Sequence, residues 1–105
     1  MTLEATIEAA EKRIKSLAQL HCAKAKTFHF GAVDIHPKHL AIWITTPSDA
    51  ERDRLRTLPG LEAKFRQALR DAGYPEDAVP LVGFAYESQE TVDRHYGGNW
   101  WHAVK

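Results

Sequence analysis

One boundary constrains the fold of this chain more than any other. Near residue 26 the spacing of apolar side chains switches from helical to period two. Before it, Leu3, Ile7, Ala10, Ile14 and Leu17 lay one apolar stripe along a helix expected over residues 2–24. Thr2 suits its N-cap. Glu4 and Glu8 favour the positive end of the helix dipole, and Lys24 and Lys26 the negative end. After the boundary, "TFHFGAVDI" (residues 27–35) alternates: Phe28, Phe30 and Ala32 share one strand face, and His29, Gly31 and Val33 the other.

The remaining elements follow from local signals. Pro37 in "HPKH" cannot donate to a ladder, and residues 40–46, "LAIWITT", resume β-branched and aromatic character. Together they predict a β-hairpin with its turn around residues 35–38. Ser48 and Glu51 form a capping-box pattern ahead of a short helix at 49–58. Leu61, Phe65, Ala68, Leu69 and Ala72 share a face of the next helix, which Gly73 and Pro75 should stop. Residues 79–86, "VPLVGFAY", read as a third strand, apolar enough for burial on both faces. Ser88 can cap a helix through "QETVDRHY" that Gly97 and Gly98 end, and "NWWHAV" is a last strand or an irregular tail.

The expected order is α-β-β-α-α-β-α, with an optional final β. That is an α+β fold: a small, mainly antiparallel sheet of three to four strands packed with helices. If strands two and three are neighbours, the helices between them form a right-handed crossover. A chain of 105 residues is one domain, 1–105.

Charge and cysteine content exclude several classes. The chain holds 14 basic and 14 acidic residues, which argues against a general nucleic-acid binder. The distribution is uneven: residues 74–105 carry 5 acidic and 2 basic groups along with many aromatics. A single cysteine, Cys22, excludes an internal disulfide. The acidic N-terminus has no signal-peptide h-region, and no apolar run approaches the ~20 residues of a membrane span. A cytoplasmic protein is expected.

Candidate chemistry is sparse. His36 and His39 are the closest pair of metal-ligand type, and a third ligand would come from His29, Asp34 or His102. Two surface histidines in a turn are the simpler reading, and no metal is assigned. His21 and Cys22 point about 100° apart on a helix, so Cys22 reads as a buried structural cysteine rather than a nucleophile. The glycines match neither phosphate-loop pattern. Arg52, Arg54 and Arg56, with Lys64, Arg66 and Arg70, can form a basic patch for phosphate or RNA, although interleaved acids favour a salt-bridged surface. Trp43, mid-strand, is expected in the core. No catalytic residue and no cofactor is assigned.

The stronger signal lies in "ESQETVDRHYGGNWWHAVK", residues 87–105. Glu87, Glu90 and Asp93 share i, i+3 spacing in a helix and form an acidic strip. Tyr86, Tyr96, Trp100 and Trp101 surround it, the makeup of a protein-binding hot spot. In extended chain the two tryptophans would point to opposite faces, one in and one out. This stretch resembles the ends of small bacterial immunity proteins of polymorphic toxin and contact-dependent growth inhibition systems. The resemblance implies a small, cytoplasmic, non-enzymatic protein that neutralises a toxin domain, often by setting acidic and aromatic residues against a basic nuclease site. The neutral overall charge departs from the acidity common in nuclease inhibitors.

The leading expectation is therefore a protein that acts by protein–protein contact through Glu87, Glu90, Asp93, Tyr96 and Trp101. The alternatives are a histidine-based metal protein or small enzyme using His36 and His39, and a phosphate or RNA contact through Arg52, Arg56, Lys64 and Arg70. Homodimerisation through the tryptophan tail or the first helix competes with all of these.

Overall fold

A computed structural model describes residues 2–104. The apolar stripe forms α1, Leu3–Gln19, capped by Thr2, whose side chain accepts from the Ala5 N–H. Ile7, Ala10, Ile14 and Ala18 of α1 are fully buried. The helix ends five residues before its expected limit, and the stop is tertiary. Cys22 and Ala25 turn into the core, and Gln19 closes the turn by donating to the Ala25 carbonyl at 3.0 Å. Lys24 and Lys26 therefore lie beyond the last helical turn rather than at its dipole.

Three strands follow: β1 (Lys26–Phe30), β2 (Ala41–Thr46) and β3 (Gly83–Ser88), in the order β1-β2-β3. β1 and β2 pair antiparallel with Phe28 opposite Trp43. The hairpin connection is longer than expected, because Gly31 (φ 137°) leaves the strand conformation and residues 37–39 coil into a 3₁₀ turn. The helices α2 (Asp49–Arg56) and α3 (Leu61–Ala72) then carry the chain back, so β3 runs parallel to β2. The α+β class stands, with a mixed sheet: one pair of each kind. Ser48 caps α2 through the Glu51 N–H at 3.2 Å, as its capping box predicts, and Gly73 ends α3 with left-handed backbone.

β3 begins four residues later than the apolar run suggests. Residues 79–81 form a 3₁₀ turn that sinks Val79 and Val82 into the core, and Arg66 donates to both of their carbonyls. The apolar continuity therefore comes from this turn, and β3 is an edge strand rather than one buried on both faces. After β3, Ser88 caps α4 (Gln89–Tyr96). Residues 100–103 form α5, a single helical turn capped by Asn99, so the tail is helical and supplies no fourth strand.

Side-chain alternation divides the sheet. Ile42, Ile44, Phe84 and Tyr86 face α1 and α3, with Phe84 against Phe65 and the Tyr86 hydroxyl donating to Glu62. Phe28, Phe30 and Trp43 share the opposite face. Trp43 is thus outside the core that its mid-strand position suggested; it is half-buried and stacked on Phe28 with ring centroids 6.0 Å apart.

Candidate functional site

Of the acidic strip, Glu87 is half-buried, whereas Glu90 and Asp93 are exposed. The two parallel strands end side by side, β2 two residues before the cap Ser48 and β3 at the cap Ser88, and acidic residues lock the two helix starts together. Glu90 accepts from the Asp49 N–H at the start of α2 at 2.7 Å. Asp49 accepts from the Ser88 hydroxyl, from Thr91 Oγ1 at 2.6 Å and from Arg94 at 2.9 Å. These donors, Ser88 foremost, hold the Asp49 carboxyl far below the usual carboxylate range. Glu87, in β3 rather than on a helix, pairs with Arg52 at 2.9 Å. Asp93 accepts from Gln89, and Tyr96 stands exposed. Of the five expected contact residues, Glu87 and Glu90 are engaged in this lock, Glu90 while exposed; Asp93, Tyr96 and Trp101 face solvent.

The other sequence candidates are dispersed. Arg52, Arg56 and Arg70 each pair with a carboxylate, and Arg66 lies over the Phe84 ring while binding carbonyls. Their positive charge is largely neutralised internally. His36 and His39 have ring centroids 6.3 Å apart, but His36 Nδ1 accepts from the Lys38 N–H. His29 sits against Glu4 and Glu11 of α1. Among the described residues, no three His, Cys, Asp or Glu side chains gather into a group able to hold a metal. Cys22 is buried as expected. Its thiol donates to Glu51 at 2.9 Å, and burial followed by that bond pushes its pKa up, so it is held as an unreactive thiol.

The concave site lies elsewhere. A cleft of about 800 Å³ opens along the outer edge of β1, between the end of α1 and α5. Its apolar wall is Phe28, Phe30, Trp100 and Trp101. Trp100 holds α5 in place: its Nε1–H donates to Gln89 at 2.7 Å and its ring meets Phe28 edge-on at 6.2 Å. Trp101, one residue on, remains 65% exposed. One tryptophan is docked and one free, as expected, but a helical turn rather than an extended strand separates them. The rim carries Lys15, Lys24 and Lys26, and among the described residues the lining contains no Asp, Glu, His or Cys. None of the three lysines has a carboxylate within ion-pair distance among the described residues. The arrangement offers apolar contact area with net positive charge at its rim.

The sequence contains half of this site. The period-two placement of Phe28 with Phe30 and the isolated tryptophan pair were both visible. The lysines were not recognised as a group, because Lys15 joins Lys24 and Lys26 only after the chain reverses behind α1. Comparison with protein-family models, with curated proteins and with solved structures finds no match for the chain. No helix is long and apolar enough to cross a membrane among the described residues.

Proposed function

We propose that this protein is a non-catalytic binding module that contacts another protein through the lysine-rimmed aromatic cleft and the adjoining surface of α4 and α5. One observation carries the reading: an exposed tryptophan beside a cleft whose charged lining is entirely lysine. Aromatic anchors in a concave site supply contact area at low entropic cost, and unpaired like charges select a partner of opposite sign. Trp101 is the proposed anchor, Lys15, Lys24 and Lys26 the selecting charges, and Asp93 and Tyr96 the neighbouring rim. The partner's contacting segment is acidic and apolar. The likeness of residues 87–105 to the ends of immunity proteins supports a cytoplasmic inhibitor that occupies the surface of a toxin domain. The engagement of Glu87 and Glu90 in the helix lock moves the proposed contact away from an acidic strip facing a basic nuclease.

The test is selection of a random peptide display library on the full chain, followed by calorimetric titration of the selected peptides. Acidic, apolar sequences should be enriched. They should bind K15E/K24E at least about tenfold more weakly, and Trp101→Ala by a similar factor. Selected peptides that bind both variants as tightly as the parent chain, or the failure of any peptide to be selected, would sink the proposal.

A further inference from the structure

We infer that the partner segment binds as an added strand, pairing its backbone with the free edge of β1; this rests on the cleft being the contact site. β1 is the outer strand of the sheet, with β2 on one side and, among the described residues, no strand on the other. No backbone hydrogen bond from outside the sheet reaches Lys26–Phe30 among the described residues. A strand edge presents N–H and C=O groups that need partners, and the cleft runs along this edge, lined by Lys26, Thr27, Phe28 and Phe30. Extended peptides recognise such edges through main-chain bonds and take specificity from alternate side chains. The five residues of β1 offer a ladder of roughly 17 Å.

The surroundings specify the alternation. α1 runs beside β1: Glu11 meets His29, and Gln19, two helical turns on, meets Ala25. Lys15 lies midway in the same i, i+4 row, level with Thr27, and turns its charge to the cleft. A residue of an added strand level with Thr27 on this face therefore passes Lys15, whereas one level with His29 passes Glu4 and Glu11. The alternate residues pass Phe28, Phe30 and Trp101 on the other face. Lys24 and Lys26 stand where the strand would meet the start of β1. The fitting segment carries acidic residues toward Thr27 and the start of β1, none level with His29, and apolar residues on the alternate face. Lysines on an edge strand commonly prevent unwanted pairing. Here they rim an apolar groove, so they repel basic strands and admit acidic ones. A second copy of the chain does not supply this segment, because β1 itself, Lys26–Phe30, contains no acidic residue.

Peptides selected on the chain decide the matter. Exchange of the Lys26–Phe30 backbone amides, followed by NMR, should slow at least about tenfold at alternate positions when a peptide is bound. N-methylation of the peptide should cost at least about tenfold in affinity at every second residue and little at the residues between. Tolerance of N-methylation at both sets of positions, with unchanged β1 exchange, overturns strand addition. If such peptides still lose affinity for K15E/K24E, the cleft remains the contact site and only the mode of binding is wrong. If none depends on those lysines, both readings fall.

Discussion

At the scale of single residues, the polar side chains that the sequence offers as a binding strip act mainly on the fold. Asp49, outside that strip but bonded to Glu90, is the clearest polar anchor. Its folded carboxyl titrates well below the ordinary value of 3.8 because Ser88, Thr91 and Arg94 donate to it. A depressed pKa contributes stability that is complete above the unfolded value and is lost as pH falls through the folded one. Asp49→Asn should therefore be less stable than the parent near neutrality, and the gap should narrow on acidification below about pH 4. Urea unfolding across pH measures it, and a gap that stays constant would mean the carboxylate's charge plays no part. The tryptophans divide in the same way. Trp100→Ala removes an indole hydrogen bond and an edge-on ring contact, and should cost about 1–3 kcal/mol. Trp101→Ala touches neither and should stay within about 0.5 kcal/mol while weakening peptide binding. Equal losses of stability in the two variants would show that both side chains are structural.

At the scale of elements, most of the fold was legible wherever a signal was local. Thr2, Ser48 and Ser88 each cap the helix they precede, and the stripes of α1 and α3 are buried as their periodicity requires. The failures share one cause: element ends fixed by contacts distant in sequence. α1 stops at Gln19 because Cys22 reaches Glu51, and residues 79–82 form a turn because Arg66 binds their carbonyls. Tail residues 99–104 coil rather than extend because Asn99 caps them and Trp100 is tied to Gln89. The end of β1 has a local cause that the alternating pattern hid. A Cβ at Gly31 would lie 2.1 Å from the His39 carbonyl oxygen, and its φ of +137° disfavours any side chain. Gly31→Ala should lower stability by about 2 kcal/mol or more, since backbone lies on the far side of the clash. A urea midpoint unchanged from the parent chain would show that the loop reshapes freely.

At the scale of the whole molecule, zero net charge conceals a separation that decides how copies meet. Glu87 is folded against Arg52 and Asp49 against Arg94, whereas Lys15, Lys24 and Lys26 converge on one cleft. That convergence joins α1 to the turn before β1, and no residue spacing in the sequence announces it; this is why the site was only half legible. The cleft also borders an unpaired strand edge with Phe28, Phe30 and Trp101 exposed to various degrees, a surface that would self-associate if nothing opposed it. Like charge on the rim opposes it. Bringing two such clefts together adds the lysines of one copy to those of the other, a repulsion that acts within the ~10 Å screening length of 0.1 M salt. At ~1 M salt the screening length falls to about 3 Å and the repulsion is removed, while apolar contact persists. Sedimentation equilibrium should therefore show a monomer at low salt and weak dimerisation that grows with salt, diminished by Trp101→Ala. The opposite dependence, a dimer at low salt that dissociates as salt is added, would identify attraction rather than repulsion at the interface. The lysine cleft of one copy would then be meeting the exposed acidic edge at Glu90 and Asp93 of another. A contact between two different surfaces need not close on itself, so that outcome would appear as open-ended association rather than a defined dimer.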